Sequence, residues 1–79
     1  MSNSHEIRLS EAQPGTRLRI KHLHSKPGTS LRLRELGLCE EAVIRCVSKS
    51  QGNVICEVFN TRIGLNFHLA SGILVSTVL

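Results

Sequence analysis

The 79 residues are enough for one small domain and too few for two domains with a cleft between them. A composition of 41% hydrophobic and 20% charged residues is typical of a folded chain and excludes a disordered one. The net charge of +4 fits an acidic partner or a phosphate surface. The two phenylalanines, without tryptophan or tyrosine, argue against aromatic-lined peptide grooves and base-stacking surfaces.

The first residues are polar, which predicts a mobile tail over residues 1–6 and a single domain over residues 7–79. No apolar run reaches the roughly 18 residues that a membrane-spanning helix needs, and no secretory signal is visible. The three cysteines are odd in number and lack CxxC spacing, which disfavours a disulfide framework. We therefore expect a protein of the reducing cytoplasm.

The first half of the domain begins with a short helical turn near Ser10, ended by Pro14 and Gly15, and continues as a strand over residues 17–24. Charged and apolar side chains alternate along this strand with a period of two. The alternation slips near Leu23, which predicts a β-bulge.

A short helix is predicted over residues 30–36, capped by Thr29 or Ser30. Leu33 and Leu36 are three residues apart, so they share the face that should pack on the sheet. Gly37 follows at the position where a left-handed residue commonly ends a helix.

The second half of the chain reads as strands separated by turns. Residues 44–46, 54–59, 63–65 and 73–79 carry the strand pattern, with turns at residues 50–53 and 60–61. Four or five short strands with one short helix predict a mainly β protein. We expect a small SH3-like barrel of about five strands with one inserted helix, closed on itself to avoid open edges.

Leu33-Arg34-Glu35-Leu36-Gly37-Leu38 resembles a segment of the FeoA family, the ferrous iron transport protein A domains. The resemblance runs from residue 7 to residue 76, and its order and spacing are more specific than any one motif. It is carried by Leu9 to Ala12 with Pro14-Gly15, Arg32-Leu33, Glu35 to Leu38, the alternation Val54-Cys56-Val58, Ile63 to Leu65, and Ala70 with Ile73 to Val75.

The sequence departs from the family pattern at three places. Glu40-Glu41 replaces a Pro-Gly pair, Asn60 replaces a turn glycine, and Asn66 replaces an arginine. The last change removes a positive charge from one edge of the domain.

The resemblance implies a non-enzymatic accessory protein of bacterial ferrous iron uptake. Such domains are thought to act on the membrane transporter FeoB, which carries a cytoplasmic G domain, and similar domains are appended to iron-dependent repressors. Contact with a membrane would then occur only through the partner. No catalytic residues are predicted, because no motif places a general base and no P-loop is present.

The polar side of the helix and the loop after it are the predicted partner-binding surface. A barrel can close without this helix, so its outer face is available for another task. The predicted surface consists of Arg32, Arg34, Glu35, Leu38, Cys39, Glu40 and Glu41.

Two other functions stay open. His22 and His24 share a face of the first strand and could begin a transition-metal site, with a third ligand from His68, His5 or Cys39, or they are two solvated side chains. Alternatively, the basic strand serves nucleic-acid binding, which the shortage of aromatic residues disfavours. No cofactor is predicted, and self-association is undecided.

The cysteines of the second half, Cys46 and Cys56, fall at core positions of adjacent strands. We expect both to be small buried thiols, because free cysteine is among the most buried residue types. A cross-strand disulfide or a thiolate metal pair is the alternative. Cys39 is expected to be an exposed thiol.

Overall fold

The computed structural model describes residues 5–78, which form a mainly β domain. Most of the predicted tail lies outside the described residues. None of the helices in the described range is long and apolar enough to cross a membrane. The elements, in chain order, are β1 (Glu6–Arg8), a 3-10 turn (Leu9–Glu11), β2 (Arg17–Leu23), α1 (Pro27–Glu35), β3 (Val43–Ser50), β4 (Asn53–Val58), β5 (Thr61–Asn66), α2 (Phe67–Ala70) and β6 (Ile73–Thr77).

The six strands form one antiparallel sheet in the order β1-β6-β2-β3-β4-β5. This confirms the predicted mainly β, SH3-like fold. The expected closure is not made by hydrogen bonds in the described part of the chain, since β1 and β5 lie at opposite ends of the strand order. The sixth strand is β1, where Glu6, the last residue of the predicted tail, pairs with Ser76 of β6.

Strand β2 contains the predicted bulge. Ile20 pairs with Val75 and His22 pairs with Leu74, so Lys21 is an extra residue on β2. The slip returns Leu23 to the inner side, where it packs on the core.

Two tight turns join β3 to β4 and β4 to β5, and both use left-handed residues. The first turn, at Gln51-Gly52, was predicted. The second turn lies at Phe59-Asn60, one residue earlier than expected, because Thr61 already pairs with Val58 as part of β5. The left-handed conformation suits Asn60 and is uncommon for a bulky residue such as Phe59.

The core lies between the curved sheet and the segments that cover it, α1 and the 3-10 turn among them. Its apolar members come from every strand except β1, whose Ile7 packs against it from a partly buried position. The buried hydrophobic residues are Leu9, Ala12, Leu18, Ile20, Leu33, Leu38, Ile44, Cys46, Val54, Cys56, Val58, Leu65, Ala70, Ile73 and Val75.

Candidate functional site: a polar helix and the loop after it

Helix α1 begins earlier than the sequence predicted and ends where expected. Pro27 occupies its first turn and Lys26 is the N-cap residue, because proline has a helical φ and its missing N–H is not needed there. Neither Thr29 nor Ser30 is the cap. At the other end, Gly37 has φ 97°, which confirms the left-handed residue after the helix.

A Schellman motif closes α1 and decides which leucine packs into the core. The N–H of Gly37 donates to the carbonyl of Arg34 (3.0 Å), and the N–H of Leu38 donates to the carbonyl of Leu33 (2.9 Å). In this motif the two apolar residues at its ends meet, and both Leu33 and Leu38 are buried in the core. The prediction that Leu36 holds the helix is therefore wrong, since its side chain is 47% exposed.

The outer face of α1 presents three of the predicted residues to solvent. Arg32, Arg34 and Glu35 are all exposed. Leu38, predicted with them, has no exposed surface, because the Schellman motif turns its side chain inward. It supports the surface from below and is not part of it.

Arg34 binds Glu40 across the turn that follows the helix. The guanidinium donates through Nε to Oε1 (3.1 Å) and through Nη2 to Oε2 (2.8 Å), the forked geometry that suits an arginine and a carboxylate. These hydrogen bonds lower the pKa of Glu40 to about 2 and raise the pKa of Arg34. The pair fixes the loop relative to the helix.

Glu41 joins the same loop to β2. Its N–H donates to the carbonyl of Ile20 (2.6 Å), its carbonyl accepts from Arg19 Nη1 (3.2 Å), and its carboxylate pairs with Lys21 (2.9 Å). Its φ of 71° is the conformation that a glycine adopts easily, and the family pattern has Pro-Gly at this point. The loop is therefore held by side chains in place of the usual turn residues. Cys39, predicted to be an exposed thiol, lies in this loop and is half-buried.

The histidines come together only in part. The rings of His22 and His24 lie 5.8 Å apart between centroids, and His22 Nε2 is 3.5 Å from a carboxylate oxygen of Glu6. His24 and His68 line one cleft of about 360 Å³. Within residues 5–78 no three metal-binding side chains are grouped so as to hold an ion. Metal binding stays a prediction.

Cys46 and Cys56 are paired across β3 and β4, buried, and free thiols. The backbone N–H and carbonyl of Cys46 bond to Thr16 and Gly15, on the β2 side, so the two cysteines form a non-hydrogen-bonded pair. Burial raises the pKa of Cys56 to about 12, with the neighbouring Cys46 adding to the effect, and burial also raises the pKa of Cys46. Both side chains therefore act as apolar core residues.

The sequence did not predict a row of charged residues on the outer face of the sheet. Register places Arg17 opposite Arg45, Arg45 opposite Glu57, and Glu57 opposite Arg62. Directly paired residues share a face of a sheet, so these four side chains run across four neighbouring strands. Arg45 Nη2 binds Glu57 Oε1 at 2.8 Å. Phe59, in the β4–β5 turn two residues after Glu57, is 81% exposed.

The fold and this surface define a small SH3-like domain with one helix whose outer side is polar. The FeoA domain model matches residues 7–77, so the chain belongs to the FeoA domain family. The family consists of accessory, non-enzymatic domains, and membership gives the chain a role in ferrous iron transport. None of the curated proteins compared with the chain matches it.

Solved structures show the same fold at low identity. A crystal structure of an iron uptake regulatory protein, FeoA, is 23% identical with a TM-score of 0.83, and the match covers 94% of this chain and 99% of that one. FeoA from Chlorobium tepidum, solved in solution, is 21% identical with a TM-score of 0.86 over 92% and 71% of the two chains. A manganese-dependent transcriptional repressor is 14% identical with a TM-score of 0.83, and 99% of this chain covers only 45% of that protein.

Proposed function

We propose that this chain is a cytoplasmic accessory protein of bacterial ferrous iron uptake that docks on the cytoplasmic part of a FeoB-type transporter. It would reach the membrane only through that partner and would tune uptake without catalysing a reaction. Family membership supports the role in ferrous iron uptake, and the surface of α1 supports docking on a partner.

One observation carries the docking proposal. Of the nine residues of α1, only Ser30 and Leu33 are buried, so the helix adds little to the core for its length. Its outer side instead presents Arg32 and Glu35, which make no ion pair within the described residues, beside the paired Arg34 and Glu40. Two charged side chains on a helix end held by a Schellman motif are ready to bind a partner at a small entropic cost.

The test is direct binding of the purified chain to the transporter's cytoplasmic domain, with and without guanine nucleotide, by calorimetry. The informative variant is Arg32→Glu. Arg34 is less suitable, because its replacement by an acid would also place two carboxylates together at Glu40. We expect Arg32→Glu to weaken binding at least about tenfold while leaving thermal unfolding unchanged.

The matched control is Arg8→Glu, which reverses an exposed charge on β1, the strand at one end of the sheet order. Failure of the wild-type chain to bind the cytoplasmic domain in either nucleotide state would refute docking. An equal loss of affinity for Arg8→Glu and Arg32→Glu would show that binding depends on net charge alone, and the docking surface would then not be α1.

A further inference from the structure

A shallow groove of about 480 Å³ crosses the outer face of the sheet where β2, β3 and the β4–β5 turn approach one another. We call it the Phe59 groove. It is lined by Arg17, Val43, Arg45, Glu57, Phe59 and Asn60, together with the backbone neighbours Ile44 and Val58.

The charge of the groove is unbalanced in favour of arginine. Two arginines, Arg17 and Arg45, line it with one glutamate, and Glu57 is already bound by Arg45. Arg17 and Arg62 make no ion pair in the described part of the chain. Arg17 moreover stands directly opposite Arg45, and like charges in that position weaken a sheet. The Arg17–Arg45 pairing therefore does not serve the stability of the free domain.

Phe59 is equally unsuited to its place in the free domain. It has φ 52° in a two-residue hairpin turn, where asparagine or glycine is preferred, and a bulky residue is rare there. Its ring gains little from burial, because 81% of its surface is exposed. Val43, also on the groove, is 37% exposed. Unfavourable turn conformation and exposed apolar surface at the same site are expected where a protein binds a partner.

We propose that the Phe59 groove binds an acidic segment of the protein partner, packing an apolar side chain of that segment against Phe59 and Val43 and pairing a carboxylate with Arg17. This rests on the proposed function, because the partner is the transporter's cytoplasmic part. A peptide fits better than a nucleic acid, since Glu57 within the row would repel a continuous phosphate backbone, while a peptide can place charges only where arginines stand.

The first test replaces Phe59 with asparagine, the residue that the turn prefers. Binding of Phe59→Asn to the cytoplasmic domain should weaken at least about tenfold. Its thermal midpoint should stay equal to that of the wild type or rise, by about 4 °C or more if the full strain is relieved. The control is Gln51→Asn, which makes the same kind of change at a left-handed residue (φ 48°) of the β3–β4 turn, outside the groove, and should bind like the wild type.

The second test replaces Arg17 with glutamate, with Arg8→Glu as the charge control. Arg17→Glu should weaken binding at least about tenfold and should make the affinity less dependent on salt concentration, whereas Arg8→Glu should do neither.

In the first test, a lower thermal midpoint for Phe59→Asn would identify the ring as structural and overturn the proposal.

Unchanged binding by both Phe59→Asn and Arg17→Glu, with wild-type binding intact, would overturn this inference and leave the proposed function standing. No binding by the wild type would remove both. In parallel, anisotropy with a labelled duplex DNA and a labelled single-stranded RNA at physiological salt should show no specific binding. If either nucleic acid binds tightly and Arg17→Glu abolishes that binding, the peptide proposal is overturned and the groove is a nucleic-acid site.

Discussion

Truncation of two leucines near the end of α1 should separate the residue that holds the helix from the one that does not. Leu38 has no exposed surface and meets Leu33 through the Schellman motif, while Leu36 is 47% exposed. Removing a buried leucine side chain costs about 2–5 kcal/mol, whereas the half-exposed one should cost about 1 kcal/mol. A chain of 79 residues has only about 4–12 kcal/mol of stability in all, so Leu38→Ala removes a large part of it.

Urea denaturation followed by circular dichroism measures the free energy of unfolding of both variants. In a thermal melt, a loss of 2 kcal/mol lowers the midpoint of a domain this size by roughly 8–16 °C, well beyond experimental error. Leu36→Ala is the control, because it makes the same chemical change two residues away. If Leu36→Ala proves as destabilising as Leu38→Ala, the assignment of Leu38 to the core is wrong.

Three further outcomes follow from the same region and the core. A thiol reagent should label Cys39 quickly in the native protein and leave the buried pair, including Cys56, unlabelled until unfolding; rapid labelling of three thiols would contradict this. Gly37→Ala should destabilise by about 1–2 kcal/mol in urea, since its φ is 97°, and an unchanged midpoint would contradict it. Glu40 should titrate near pH 2 by NMR, because Arg34 lowers its pKa in the folded protein. The stabilising effect of the pair is therefore present above about pH 4.5 and is lost as the pH falls towards 2. A titration midpoint at the usual value for a glutamate would refute the ion pair.

The strands could be predicted because alternation along the chain reports directly on which side chains face a core. This worked even for the bulge in β2, where the phase of the pattern shifts. Strand β1 could not be found in the same way. It has three residues, Glu6 to Arg8, too few to show a period, and it exists because Ile7 pairs with Val75 far along the chain.

Leu36 was wrongly predicted to be buried because a three-residue spacing does not decide burial at the last turn of a helix, where the chain leaves the helical path. Leu33 and Leu36 do share a helical face, but the chain reverses at Gly37 and brings Leu38 over Leu33. The sequence carries the signal for this, an apolar residue four positions before a glycine and another immediately after it. The inward turn of Leu38 was therefore predictable, whereas the Arg34–Glu40 pair depends on the loop's three-dimensional course.

The arginine row could not be predicted, because it depends on a bulge in β3. From the turn at Ser50 and Asn53, an uninterrupted register would place Cys46 opposite Glu57. The shift between Cys46 and Ser48 instead sets Cys46 opposite Cys56, and Arg45 then meets Glu57. One extra residue thus determines both the buried thiol pair and the charge pattern outside.

The two proposed contact surfaces meet at Gly37. A Cβ atom at that position would lie 3.1 Å from the ring of Phe59, so the ring rests on the residue where α1 ends. The polar side of α1 and the Phe59 groove therefore adjoin, and a single partner can touch both without bridging a gap. The absence of a side chain at Gly37 allows the left-handed turn that buries Leu38 and also leaves room for Phe59. The same glycine thus supports the helix end and the groove, which is why the two surfaces are held in one fixed relation.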